Sequence, residues 1–139
     1  MIALALLGGV VPQLPAQAVP PASVATVRPI DWDRLPPLPY RHAPRVTPRM
    51  TGFVATEMQR TACPAPAPVD GRMQVQVDVA VLIGSEGLVR ATIPRAIACP
   101  VVEQYAAGLV ISFSRNNMIP RLVDDGGWYR ATILFDWPA

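Results

Sequence analysis

The second half of the sequence predicts a small α+β domain of order ββαβ, in which a three-stranded antiparallel sheet packs on one helix. Three observations predict it. Residues 73–83 alternate strictly between apolar and other side chains and are rich in valine, which is typical of a strand. Residues 100–113 carry apolar side chains at helical spacing behind a proline. Residues 128–137 alternate again, with aromatic residues at both ends. Three strands with one apolar face and a helix to cover it make a complete two-layer domain.

The first two strands are predicted to form a hairpin. One face of the first strand is apolar, comprising Met73, Val75, Val77, Val79, Val81 and Ile83. Residues 84–87 (GSEG) then reverse the chain, and residues 88–93 continue as a second strand. Alternation in that strand predicts that Val89, Ala91 and Ile93 share a face. Pro94 ends it, because proline cannot donate to a sheet ladder.

A helix and a last strand complete the domain. Pro100 suits the first helical turn, and Asn116 with Asn117 marks the end of the helix. Residues 124–127 (DDGG) are predicted to be a turn. The last strand has one face formed by Tyr129, Ala131, Ile133, Phe135 and Trp137, and another formed by Trp128, Arg130, Thr132, Leu134 and Asp136.

The first half is rich in proline: thirteen of the 17 prolines lie between Pro12 and Pro68. Residues 19–49 are predicted to be an extended linker, which at 3.1 Å per residue reaches roughly 90 Å. It is either a spacer for a tethered domain or a disordered tail without a function. Whether Trp32 and Tyr40 pack on the domain stays open. The domain is assigned to residues 50–139, beginning with a short helix at 51–61 capped by Thr51.

Residues 1–18 are predicted to be a signal peptide, so we expect a periplasmic protein. The apolar run at 1–11 is shorter than the roughly 20 residues that span a bilayer. Ala16 and Ala18 then supply a small-x-small cleavage pattern. No Lys or Arg precedes the run, so a truncated inner-membrane anchor and an apolar tail of a non-exported protein remain as alternatives.

Export predicts that Cys63 and Cys99, the two cysteines, form a disulfide. It would close a loop of about 36 residues and contribute roughly 4 kcal/mol. The alternative is two free buried thiols in a cytoplasmic protein. No metal site and no cofactor are predicted, because zinc takes four ligands and His42 is the only histidine.

Several function classes are disfavoured. A net charge of +2 with scattered arginines does not predict nucleic-acid binding. The folded half has no histidine, so a Ser/His/acid triad cannot form there, and Asp124 with Asp125 precedes two glycines as a turn. We therefore expect no enzyme and no small-molecule substrate.

Several local patterns together resemble the C-terminal domain of TonB, the periplasmic energy transducer. They are the alternating valine strand, the GSEGLV turn and restart, a helix of Val, Ala and Leu, the MIPRL stretch, a glycine turn and a final strand with aromatic ends. The resemblance covers about residues 72–138. The exported start and proline-rich spacer fit the same family organisation.

The resemblance implies partner binding by strand addition. In such domains the first strand lies centrally and the last strand forms a free edge, where an extended segment of an outer-membrane receptor or other envelope protein pairs with the backbone. The implied partner-binding residues are Trp128, Arg130, Thr132, Leu134 and Asp136.

Other interpretations of this edge remain. The same five residues can be merely solvated strand residues, and an exposed last strand also allows self-pairing into a homodimer. The rival functions are a small secreted, disulfide-stabilised structural or accessory domain without a receptor, and a membrane-anchored transducer.

Overall fold

The computed structural model describes residues 8–17, 29–123 and 126–139. Residues 8–17 have no regular secondary structure. The rest of the predicted signal peptide, residues 18–28 and the acidic pair of the predicted turn lie outside the described residues. Within the described part of the chain, no helix is long and apolar enough to cross a membrane.

The predicted α+β fold is confirmed. A short 3₁₀ helix at Trp32–Arg34 precedes six elements: α1 (Pro48–Arg60), β1 (Arg72–Ile83), β2 (Val89–Pro94), α2 (Pro100–Ser114), α3 (Pro120–Val123) and β3 (Gly127–Pro138). The sheet is antiparallel with the order β2-β1-β3, so β1 is central, as expected. A second helix, α1, joins α2 in covering one face of the sheet.

The core follows the predicted alternation of β1 and β3. Val77, Val79, Val81 and Phe135 are fully buried or nearly so, and they form one cluster with residues of both helices. The two helices touch through the ring of Phe53 on α1 and the ring of Tyr105 on α2, whose centres are 4.3 Å apart. Strand and helix periodicity therefore agree on a single apolar layer, and among the described residues no α-helix covers the opposite face of the sheet, which we call the helix-free face.

The face prediction for β2 was wrong at one residue. Val89 lies opposite Ile83 and packs against the core, whereas Ala91 lies opposite Leu82 on the helix-free face. The pairing register shifts between Leu82 and Ile83. Such a bulge inserts one extra residue into a strand and so reverses the side on which the following residues lie.

The N-cap of α1 lies four residues before the predicted cap. Thr47 is the N-cap, and its hydroxyl accepts a hydrogen bond from the backbone N–H of Met50 at 3.3 Å. Pro48 occupies the first turn, where the missing N–H is not needed. Thr51, the predicted cap, lies inside the first turn and donates its hydroxyl to the Thr47 carbonyl.

The predicted disulfide is present between Cys63 and Cys99, 36 residues apart. It ties the segment that follows α1 to the residue that precedes α2, because Cys99 is the N-cap position of α2. The bond therefore fixes both helices against the same face of the sheet.

Candidate functional site: the outer edge of the third strand

The outer edge of β3 is the longest sheet edge in the domain. On one side β3 pairs with β1 without interruption, from Gly127 opposite Ile83 to Pro138 opposite Arg72. The five predicted partner-binding residues all lie on β3 with their side chains on the helix-free face. They are Trp128, Arg130, Thr132, Leu134 and Asp136.

The direction of the backbone groups follows from the pairing. Both the N–H and the C=O of Arg130 form hydrogen bonds away from β1. In an antiparallel strand these groups alternate in direction with a period of two residues, and the register of β3 is unbroken. The N–H and C=O groups of Thr132, Leu134 and Asp136 therefore also point outward. Among the described residues, none of these three outward positions has a backbone hydrogen-bond partner.

A segment from the first half of the chain occupies the edge at Arg130. We call residues 31–42 the strap. The backbone N–H of Leu38 donates to the carbonyl of Arg130 at 2.8 Å, and the N–H of Arg130 donates to the carbonyl of Pro36 at 2.8 Å. Pro37 thus pairs with Arg130 in the parallel sense. Part of the predicted linker is extended, but it is hydrogen-bonded to the domain.

The far end of the strap is held by the connection after α2. The N–H of Arg41 donates to the carbonyl of Asn117 at 2.6 Å, and the N–H of Ile119 donates to the carbonyl of Pro39 at 3.1 Å. The Asn117 side chain also exchanges two hydrogen bonds with the backbone of His42, at 2.9 and 2.8 Å. Asn117, predicted only as a helix stop, is therefore the main polar anchor of the strap.

Two strap side chains pack on the core side, Leu38 buried and Tyr40 half-buried. Leu38 is 6% exposed and belongs to the core cluster. Tyr40 packs against the same cluster, its hydroxyl is buried without a hydrogen-bond partner among the described residues, and this burial raises the pKa of the phenol. Burial of these side chains provides the apolar part of the attachment.

The start of the strap lies on the helix-free face. Its Trp32 carbonyl accepts a hydrogen bond from the Arg130 guanidinium at 3.1 Å. The Arg95 guanidinium lies 5.4 Å from the centre of the Trp32 ring, within range of a cation–π interaction. Arg95 also faces the carboxylate of Asp78 at 3.4 Å, and the hydroxyl of Thr132 donates to that carboxylate at 2.7 Å. Arg95, Asp78 and Thr132 thus form a connected polar network on the sheet surface near Trp32.

Beyond the strap, the edge is open. We call Thr132, Leu134 and Asp136 the bare half of the edge, and Arg130 with its strap partners the covered half. The Leu134 side chain is 44% exposed. Asp136 pairs with Arg72, and both side chains remain partly exposed. A groove of about 430 Å³ lies beside this half, lined by Val46, Pro48, Thr51, Gly52, Ala55, Arg72, Asp136, Trp137 and Pro138.

The structure thus brings the five predicted residues onto one edge but divides them. Trp128 is exposed at the start of β3, Arg130 holds the strap, and Thr132 bonds to Asp78. Leu134 is exposed, and Asp136 is half-buried beside Arg72. Sequence reasoning missed that the strap covers Arg130. The sequence feature that could have indicated this cover is Leu38 between two prolines, with Trp32 six residues earlier. Among the described residues, no group of three or more acidic, histidine or cysteine side chains is arranged to bind a metal.

Comparison of the chain with models of protein families, with curated proteins and with solved structures finds no match. The geometry of the β3 edge is therefore the basis on which a function is proposed.

Proposed function

We propose that this chain is a periplasmic TonB-like protein-interaction module. It binds an extended segment of an outer-membrane receptor, or of another envelope protein, by strand addition to the outer edge of β3. The observation that carries the proposal is the pair of backbone hydrogen bonds between Arg130 and the strap. An extended segment already pairs with this edge, so its backbone has the geometry that strand addition needs.

The bare half offers room for a second segment. Three outward-facing residues in alternation provide up to three donors and three acceptors over about five residues of strand. Leu134 adds an apolar contact, and the Arg72–Asp136 pair adds charge next to it. Backbone pairing would give affinity, and these side chains would select the segment.

In-cell photo-crosslinking tests the proposal. A crosslinking residue at Leu134 samples the bare half, and the same residue at Ile111, which is 38% exposed on α2, is the matched control. We expect Leu134, and not Ile111, to capture an extended segment of an outer-membrane receptor or another envelope protein. Adducts only with a second copy of the chain would indicate a homodimer through β3. The absence of adducts from an exported, well-expressed chain would contradict the proposal.

The second candidate function is a small secreted structural or accessory domain that binds no receptor. The strap favours it, because covering a strand edge with another part of the chain is a common protection against unwanted pairing. The same experiment separates the two functions, since this candidate predicts no receptor adduct at Leu134.

A further inference from the structure

The strap is attached to the domain in the way that a bound peptide is. It runs parallel to β3, exchanges two backbone hydrogen bonds with one residue, buries a leucine, and places an aromatic ring on a guanidinium. We infer that the covered half of the edge is a peptide-binding cleft, now filled in cis, and that its trans ligand is an extended segment with a leucine flanked by prolines. The inference uses the same strand as the proposed function, but it does not require an outer-membrane receptor.

The cleft sets three requirements on a ligand. The backbone must donate once to the Arg130 carbonyl and accept once from the Arg130 N–H, as Leu38 and Pro36 do. The residue that donates must be apolar, because Leu38 is only 6% exposed. An aromatic residue about six positions earlier then reaches Arg95 on the helix-free face, as Trp32 does. Two of these requirements are met by side chains and one by backbone, so composition as well as extended shape selects the ligand.

Proline on both sides of the leucine has a physical reason. In a strand-like segment, alternate N–H groups point toward and away from the partner strand. Leu38 donates to β3, so the N–H groups of residues 37 and 39 would point outward, and both of those residues are proline. The segment thus covers the edge without offering outward donors at those positions to a further strand. Proline also restricts the free segment to extended conformations, which lowers the entropy lost on binding.

Because the strap is part of the same chain, it competes strongly with a free peptide for the covered half of the edge. Residues 43–47 join the strap to α1, and a short linker gives an effective concentration in the millimolar range. A free segment of the same chemistry would therefore bind the intact chain poorly and would bind well once the strap is weakened. A partner segment that extends from the bare half onto Arg130 has to displace the strap in the same way.

Fluorescence anisotropy with a labelled synthetic peptide of residues 30–42 tests the inference on the full chain. Three chains are compared: the unmodified chain, Leu38→Asp, which puts a charge at the buried leucine, and Leu88→Asp, which makes the same change at a leucine that is 62% exposed. We expect the peptide to bind Leu38→Asp at least tenfold more tightly than the other two. A peptide carrying aspartate in place of its leucine should lose at least tenfold in affinity for the Leu38→Asp chain.

Amide hydrogen exchange at Arg130 makes either result decisive. If the Arg130 amide exchanges freely in Leu38→Asp and the peptide still fails to bind, the cleft is not a ligand site and the inference is overturned. Equal affinity of the unmodified chain and Leu38→Asp would overturn it too. Should Leu38→Asp fail to fold, Trp32→Ala, which removes the ring beside Arg95 and keeps the backbone carbonyl that Arg130 binds, decides the question, and a smaller gain in peptide affinity is expected.

The outcomes separate this inference from the proposed function. Peptide binding without receptor adducts at Leu134 would support the cleft and contradict the receptor-binding role. Receptor adducts at Leu134 without peptide binding to Leu38→Asp would do the reverse.

Discussion

The two halves of the β3 edge belong to one strand, share one register and present the same alternation, yet one is covered and the other is open. At Arg130 both outward backbone groups are bonded to the strap. At Thr132, Leu134 and Asp136, no backbone partner is found within the described ranges. The difference arises from a segment about 90 residues earlier in the chain, and not from β3 itself. Alternation in a strand thus determines which side chains face the core, whereas the occupancy of the edge depends on distant sequence.

The opposite edge of the sheet, formed by β2, is protected against pairing in a different way. β2 has only six residues, is bulged near its start and ends at Pro94. Short length, a bulge and a proline each discourage pairing with another chain. β3 is twelve residues long and straight in register, so it needs a separate cover, and the strap supplies one for its first half only. The bare half is therefore the part of the β3 edge best able to accept another strand.

The largest expected effect is a loss of stability that acts equally on the covered half and the bare half of the β3 edge. Replacing Cys63 and Cys99 together by serine should lower the free energy of unfolding by about 4 kcal/mol, since the disulfide closes a loop of 36 residues. Urea unfolding of the oxidised chain and the double variant measures it. Because the bond ties α1 to α2, both halves should loosen to the same extent. Loosening of the strap alone would contradict this view of the disulfide.

Leu38→Ala should act on the covered half only. Loss of a buried leucine side chain costs about 2–5 kcal/mol, and we expect the low end, about 2 kcal/mol, because the strap can detach without unfolding the sheet. Amide exchange should accelerate at Arg130 while the paired backbone of Ala131 stays protected. Leu88→Ala, at an exposed site, should change neither amide. Equal acceleration at Arg130 and Ala131 would show that the strap is part of the global fold and not a detachable cover.

The sequence predicts part of this structure, and the rest depends on contacts between distant segments. The alternation of β1 and β3 and the apolar spacing behind Pro100 predict the sheet and its covering helix, because both are local signals. The presence of two cysteines in a chain expected to be exported predicts the disulfide. The face of Val89 was mispredicted, since a bulge leaves no mark on a period-two pattern. The contact of the strap with Arg130 is a pairing of distant segments, and a proline-rich composition predicts an extended chain without specifying where it lies.

A smaller effect is expected in the bare half. Asp136→Asn removes the charge that pairs with Arg72, and both side chains of that pair are at least a third exposed. Exposed ion pairs contribute about 0.2–1 kcal/mol, so the free energy of unfolding should fall by no more than about 1 kcal/mol. The exchange of the Arg130 amide should not change. Urea unfolding at low and high salt checks the result, and a loss that persists in high salt would contradict a screened surface pair.

The smallest effect at neutral pH concerns Tyr40. Burial raises its pKa in the folded chain above the ordinary value of 10.0. The phenol therefore stays protonated in the strap at a pH where the released strap would ionise. Stability of the strap should be complete below about pH 10 and should decline as pH rises through the raised pKa. The fluorescence of the Trp residues, followed from neutral to alkaline pH, reports release, and Tyr40→Phe should remove this step. An identical step in Tyr40→Phe would assign it to another group.

The most direct test of the divided edge is amide hydrogen exchange on the unmodified full chain, resolved by NMR at four residues of β3. We expect the amide of Arg130 to be protected by its bond to the Pro36 carbonyl and the amides of Thr132, Leu134 and Asp136 to exchange quickly. Exchange at Arg130 as fast as at Leu134 would mean that the strap does not cover the edge. Protection at all four residues would mean that the bare half is already occupied, and either result would contradict the division of this edge on which both proposals rest.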